Sequence, residues 1–146
     1  MKISGKLRGW DELSDKFKDL PAKVQRKVVQ PSVTAAMREG RKAVKAAAPV
    51  RKGKRSQASL RYGALRDNIR LIRLKRNPKG VFGARVDTGN AFWGAFLDSG
   101  YTIERGSRYQ PGNNWFLNAF NSAIDRIFEV LATRLGKGIE KVAGEK

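Results

Sequence analysis

Apolar residues recur at helical spacing over much of the chain. Trp10, Leu13, Phe17 and Leu20 are three, four and three apart, which sets them on one stripe of a helix. Asp11, Glu12 and Asp15 fall in its first turns, where the helix dipole favours acids. Pro21 ends this segment or opens the next. From Ala22 to Ala48, strong helix formers carry Val24, Val28, Met37 and Val44, with alanines concentrated in the second half. Pro31 interrupts, so a kink or a fresh helix start is expected near Gln30. The alanines predict close helix packing, and Pro49 stops the run. The clearest stripe is the last: Phe116, Leu117, Phe120, Ala123, Ile124, Ile127, Phe128, Leu131 and Leu135. Asn113 or Asn114 suits its N-cap. Gly136 and Gly138 weaken the helix beyond Leu135, and residues 143–146 are expected to fray.

Between the helices the pattern changes. Ile3 to Arg8 is a weak strand candidate. Residues 49–62 are rich in turn-forming, small and basic residues and predict an extended basic loop. Gly63 to Asp67 suggests a turn or helical bend. Ile69–Arg76 and Val81–Asp87 flank Asn77-Pro78-Lys79-Gly80, which predicts a β-hairpin. Phe92, Trp93, Phe96 and Leu97 are spaced as a short helix capped by Gly100, followed by a short strand at Tyr101–Ile103. Residues 106–114 are expected to be a loop. The fold class is therefore α+β: one domain over residues 1–146, with a small antiparallel, hairpin-based sheet packed against long N-terminal and C-terminal helices.

Composition narrows the function. With 146 residues and 40% apolar content, the chain can bury a core. It has no cysteine and no histidine. A disulfide framework, a thiolate zinc site and a Cys nucleophile are thereby excluded, and the commonest general base and transition-metal ligand are missing. No run of about 18 apolar residues occurs, so no membrane helix is expected. Met1 to Lys6 has a basic start without an apolar stretch behind it, unlike a secretory signal.

The charge is extreme, at +18. Arg41 to Lys79 holds 14 Lys or Arg and one acid, Asp67, and so supplies +13 of that total. Such a block suits an anionic partner, either phosphates or an acidic protein surface. Its bland alternative is a solvated face. Only Tyr62 among the aromatics falls inside it, so it is no stacking platform for single strands. No helix-turn-helix, zinc-finger or RNA-recognition signature accompanies it. The acids form no paired motif of the kind hydrolases or metal sites use, and Tyr101, Glu104 and Arg105 are not spaced to demand nuclease chemistry. An enzyme is not expected, nor is a cofactor or metal. Phe92, Trp93 and Phe96, with Trp115, Phe116 and Phe120, suggest core, and a partner groove is the second reading.

Short motifs in order along the chain carry a resemblance. Ala48-Pro49-Val50 and Gly53 are followed by Gly63-Ala64-Leu65-Arg66-Asp67-Asn68-Ile69. Phe96-Leu97-Asp98-Ser99-Gly100 with Thr102 looks like a Phe-Leu-Glu-x-Gly-Thr motif, and Trp115-Phe116-Leu117-Asn118-Ala119-Phe120 like a Pro-Phe-Leu-x-Pro-Ala-Phe helix start. Their order is similar to that of the tail-completion, or head–tail joining, proteins of long-tailed bacteriophages and prophages. The chain departs from them in its longer stretch after Gly53, in Asp98 for Glu, in the inserted Tyr101 and in Asn118 for Pro.

The resemblance implies a virion protein at the neck, made in the host cytoplasm and assembled as a ring, often hexameric. Neighbouring neck, connector and tail-tube proteins would be its partners, with DNA as a non-specific contact and no membrane. It brings no catalytic residues. Expected partner or DNA-channel contacts are Arg51, Lys52, Lys54, Arg55 and Arg61 on the loop, and Arg70, Arg73, Lys75 and Arg76 on the hairpin. Pro49, Gly53, Leu65, Leu97, Asp98, Gly100, Thr102, Phe116, Leu117 and Phe120 are expected to be architectural. The alternative is a sequence-nonspecific DNA-binding protein using the 41–79 block.

Overall fold

Helix α1, Ala22–Ala47, is the spine against which the two C-terminal helices and the first hairpin pack. It belongs to a computed structural model that describes residues 21–50, 53–54, 57–74, 82–103 and 108–144. The expected strand at 3–8 and the Trp10–Leu20 stripe lie outside those residues. Pro31 does not start a new helix: α1 runs through it, with the proline ring exposed. Burial on either side outweighs the local cost, because Val28, Ser32 and Ala36 all face the core. The buried hydroxyls are satisfied within the helix itself. Ser32 Oγ donates to the Val28 carbonyl at 2.6 Å, and Thr34 Oγ1 to that of Gln30 at 2.8 Å. The helix ends where expected, with Ala48 extended before Pro49.

After α1 come α2 (Gln57–Tyr62), α3 (Leu65–Asn68), β1 (Arg70–Arg73), β2 (Ala84–Asp87), α4 (Trp93–Ser99), β3 (Gly100–Ile103), β4 (Arg108–Pro111), α5 (Trp115–Ser122) and α6 (Ile124–Gly144). The class is α+β, with small two-stranded antiparallel sheets against long helices. Three expectations need correction. Residues 57–62 are helical, so the extended basic loop is shorter than 49–62; the Gln-Ala-Ser-Leu-Arg-Tyr sequence has no helix breaker. Residues 106–114 are not all loop, since 108–111 pair with β3 as a second hairpin, in register Thr102 opposite Tyr109. Pro111 is tolerated because every strand of a two-stranded sheet is an edge. The C-terminal helix passes Gly136 and Gly138 and reaches Gly144, and of the tail expected to fray, 145–146 lie outside the described residues.

The first hairpin is as expected: β1 and β2 pair antiparallel, Leu71 opposite Val86 and Arg70 opposite Asp87. Val86 packs on the core, so Leu71 shares its inner face, and Arg70, Ile72, Arg85 and Asp87 take the outer one.

Two apolar clusters meet along α1. At its C-terminal end, Val44 and Ala48 pack with Leu65, Ile69, Ala91, Trp115 and Ala119. Toward its N-terminus, Val28 and Ala36 pack with Ala123, Ile127, Leu131 and Leu135 of the last helix pair. Small residues on α1 bring the helices close, as the alanines predicted. A Cβ at Gly40 would lie 2.7 Å from Phe120 Cε2 and 3.0 Å from Ile127 Cδ1. Phe120 belongs to both clusters and joins them.

Candidate interaction surface

The segment from Leu97 to Phe116 is tied into a knot of short contacts. Gly100 has φ 87° and ψ 167°, a conformation open in practice only to glycine, and its N–H closes α4 on the Phe96 carbonyl. The carbonyls of Leu97 and Asp98 accept from Asn113 and Asn114 N–H at 3.1 and 3.0 Å. Asp98 Oδ1 accepts from the Phe116 N–H at 2.8 Å, and Asn113 Oδ1 from the Trp115 N–H at 3.2 Å. Asp98 and Asn113 thus cap α5 together, while Asn114 sits left-handed with φ 50°. Trp115 Nε1 donates to the Gly94 carbonyl at 3.2 Å, locking the buried indole under α4. Asp98 and Gly100 take part in these contacts, Phe116 and Phe120 pack against the apolar clusters, and Leu65 is buried. Leu117 is half-buried, Thr102 is exposed in β3, and Gly53 is exposed with φ 119°.

This knot fixes α4 in an unusual orientation. Two small residues face inward: Ala91, just before the helix, is fully buried, and a Cβ on buried Gly94 would lie 2.7 Å from Leu65 Cδ1. Its large residues face out, with Phe92 55% and Phe96 48% exposed. They sit four apart, on one helical face. Four rings follow one another across the surface. Tyr62 and Phe92 have centroids 6.4 Å apart, Phe92 and Phe96 6.0 Å, and Phe96 and Tyr101 6.1 Å. Trp93 lies behind them, half-buried, 5.5 Å from Phe92. Exposed Leu60 and Leu97 extend the apolar character around this ledge. The core reading of the aromatics therefore holds for Trp93, Trp115, Phe116 and Phe120 and fails for Phe92 and Phe96. Sequence gave a signal for this in Ala91 and Gly94, which offset the phenylalanines around the helix.

The expected basic contacts are scattered. Arg61 lies on α2 with its guanidinium 5.4 Å from the Tyr62 ring centroid, beside the ledge. Lys54 is exposed. Arg70 and Arg73 are both exposed, but three residues apart on a strand they project to opposite faces, so the hairpin does not gather them. Arg51, Lys52, Arg55, Lys75 and Arg76 lie outside the described residues.

Sequence reasoning also missed a polar groove between α1 and α6, lined by Arg38, Glu39, Lys42, Arg126, Glu129 and Arg134. Lys42 Nζ lies 2.8 Å from Glu39, and Arg126 Nη1 2.6 Å from Glu129. The Lys42 hydrogen bond holds the Glu39 carboxyl below its ordinary range, and the Glu129 bond raises Arg126. These acids are engaged by neighbouring cations along their own helices, which suits structure rather than proton transfer. Among the described residues no group of acids could hold a metal, and no helix is long and apolar enough to cross a membrane.

A family model described as bacteriophage HK97-gp10 tail-component matches residues 11–100. The chain belongs to this family. It is a structural protein of the phage tail, and its place is the virion. No curated protein and no solved structure matches the chain. For this HK97-gp10-like chain the matched span runs through α4 and closes at Gly100, so it includes Tyr62, Phe92 and Phe96 of the ledge. The rest of the second hairpin, α5 and α6 lie beyond it, yet side chains of α5 and α6 complete both apolar clusters.

Proposed function

We propose that this tail component works at the neck, where copies of it form a ring that joins or completes the tail at the head–tail interface. Family membership supplies the setting, and the outward aromatic face of α4 is the observation that carries the reading. A chain that buries alanine and glycine while exposing Phe92 and Phe96 is shaped for a neighbour, since contiguous exposed apolar patches mark interaction sites. Repeated copies meeting head to tail close into a ring when the rotation allows. Deleting the gene and complementing it in trans tests the assignment by electron microscopy of lysates. The expected result is DNA-filled heads and separate tails without the gene and joined particles with it. Joined particles in its absence would refute the neck role.

Sequence-nonspecific DNA binding is the second reading. It is favoured by Lys54, Arg61, Arg70 and Arg73, which are basic and make no ion pair among the described residues. Duplex titration at graded salt separates the two. Tight binding by the isolated protein with a steep salt slope supports DNA as the main partner, whereas no binding at physiological salt supports a protein partner. Replacing Arg51, Lys52, Lys54 and Arg55 by serine should impair assembly at the neck if the basic run meets a neighbouring ring, and normal infectious particles would reduce it to a solvated surface.

A further inference from the structure

The ledge requires an occupant, and the chain contains a segment of matching chemistry. Through Tyr62 the ledge adjoins the segment 57–66, which carries exposed Arg61 and Arg66 and no acid, and the sequence just before it adds Arg51, Lys52, Lys54 and Arg55. Residues 10–20 carry the reverse: an apolar stripe of Trp10, Leu13, Phe17 and Leu20, with Asp11, Glu12, Asp15 and Asp19 against two lysines. In a chain of net charge +18 such an acidic, aromatic segment is an exception. An amphipathic helix laid with its apolar face on an apolar ledge, its acids toward bases at the rim, is a common mode of recognition.

Geometry directs this segment to a different copy. The ledge sits at the far end of α1, beside the Val44–Ala48 cluster that Trp93 packs against. From Ala22 to Val44 the helix rises about 33 Å at 1.5 Å per residue. A helix over residues 10–20 spans only about 16 Å on the same rise, and it leads directly into α1 through Pro21. It therefore falls well short of its own ledge.

We propose that residues 10–20 of one copy dock on the Tyr62–Phe92–Phe96–Tyr101 ledge of the next, forming a head-to-tail contact between copies. This rests on the ring reading given above and names the contact within it. Such an interface is heterologous, with donor segment and acceptor ledge at opposite ends of α1, so each copy gives one and receives one.

The absence of cysteine makes the test direct. Ser14 falls within the donor segment, next to Leu13 in sequence, and Ala95 is exposed on α4 between the ledge phenylalanines, so Ser14→Cys and Ala95→Cys are the reporters. Full-length chains carrying one substitution each are mixed and oxidised, and disulfide-linked peptides are mapped by mass spectrometry. The expected product joins position 14 of one chain to position 95 of the other. It should disappear when the Ala95→Cys chain also carries Phe92→Ser and Phe96→Ser. A mixture of Ser14→Cys with Ala132→Cys, exposed on α6, should give no comparable link. Circular dichroism and thermal midpoint of the Phe92→Ser/Phe96→Ser chain should match the wild type, because both rings are half exposed.

A missing 14–95 link, or one that survives loss of both rings, overturns the proposal. Particles carrying Phe92→Ser/Phe96→Ser then show what else fails. Unjoined heads and tails without the link assign the ledge to an acidic segment of another virion protein and leave the neck reading standing. Normal particles without the link leave the ledge idle and remove the observation on which the neck reading leans.

Discussion

The seam between α1 and α6 and the outer face of α4 use the same kinds of residue in opposite ways. Along the seam, small residues of α1 sit opposite large ones of α6, and Ile127, Leu131 and Leu135 are all at most 8% exposed. At α4 it is Ala91, just before the helix, and Gly94 that are buried, and Phe92 and Phe96 are half exposed. Apolar burial drives folding in the first region, whereas the second keeps its apolar area for an encounter. The two faces should therefore respond differently to loss of a large side chain.

The largest effect falls on the seam. Leu131→Ala removes a buried side chain from a packed helix pair and should cost about 2–5 kcal/mol in urea unfolding. Phe96→Ala should change the same measurement by no more than about 0.5 kcal/mol, as for surface positions. A comparable loss at both positions would mean that the ledge is core after all. Next comes the knot that orients α4. Gly100→Ala places a Cβ 2.5 Å from Tyr109 Oη and 2.7 Å from the Gln110 carbonyl, at a φ of 87°. Its expected cost is about 1–3 kcal/mol, with the 100–103 and 108–111 amides losing hydrogen-exchange protection first. Wild-type stability would show that the hairpin shifts freely. Asp98→Ala deletes a cap on α5 and should cost about 1 kcal/mol by thermal melting, while an unchanged midpoint would leave the cap to Asn113 alone.

The seam was legible in the sequence because an unbroken stripe from Phe116 to Leu135 can face only one way. The β1–β2 hairpin was legible from two β-leaning runs around Pro78 and Gly80. β4 was not, since Arg108-Tyr109-Gln110-Pro111 has no apolar alternation and its pairing depends on the backbone knot at Gly100 and Gly112. At Pro31 a fresh helix start was one of two readings, and α1 runs on instead because burial at Val28, Ser32 and Ala36, which local propensity cannot register, favours its continuation. The ledge was half legible. Spacing put Phe92 and Phe96 on one face of a helix, but only tertiary packing of Gly94 against Leu65 turned that face outward. Basic side chains were legible as a block and not as a surface, because strand alternation separates Arg70 from Arg73 and helix α2 carries Arg61 to the aromatic rim.

The smallest effect sharpens the contrast at its polar edge, where the seam opens into a groove of charged pairs. Glu39, held below its ordinary pKa of 4.5 by the Lys42 hydrogen bond first, favours the folded state when ionised. A carboxyl depressed on folding contributes stability above its unfolded pKa, and that contribution is lost as pH falls through the folded value. Glu39→Gln should therefore lower the thermal midpoint slightly at pH 7, and the gap from wild type should close as pH falls through the lowered folded value of Glu39. High salt should narrow the pH 7 gap as well, because the pair is solvent-accessible. A gap that persists unchanged once the carboxyl is protonated would instead trace to packing of the side chain in the α1–α6 groove. The groove would then belong with the apolar seam and not with the charged surface around it.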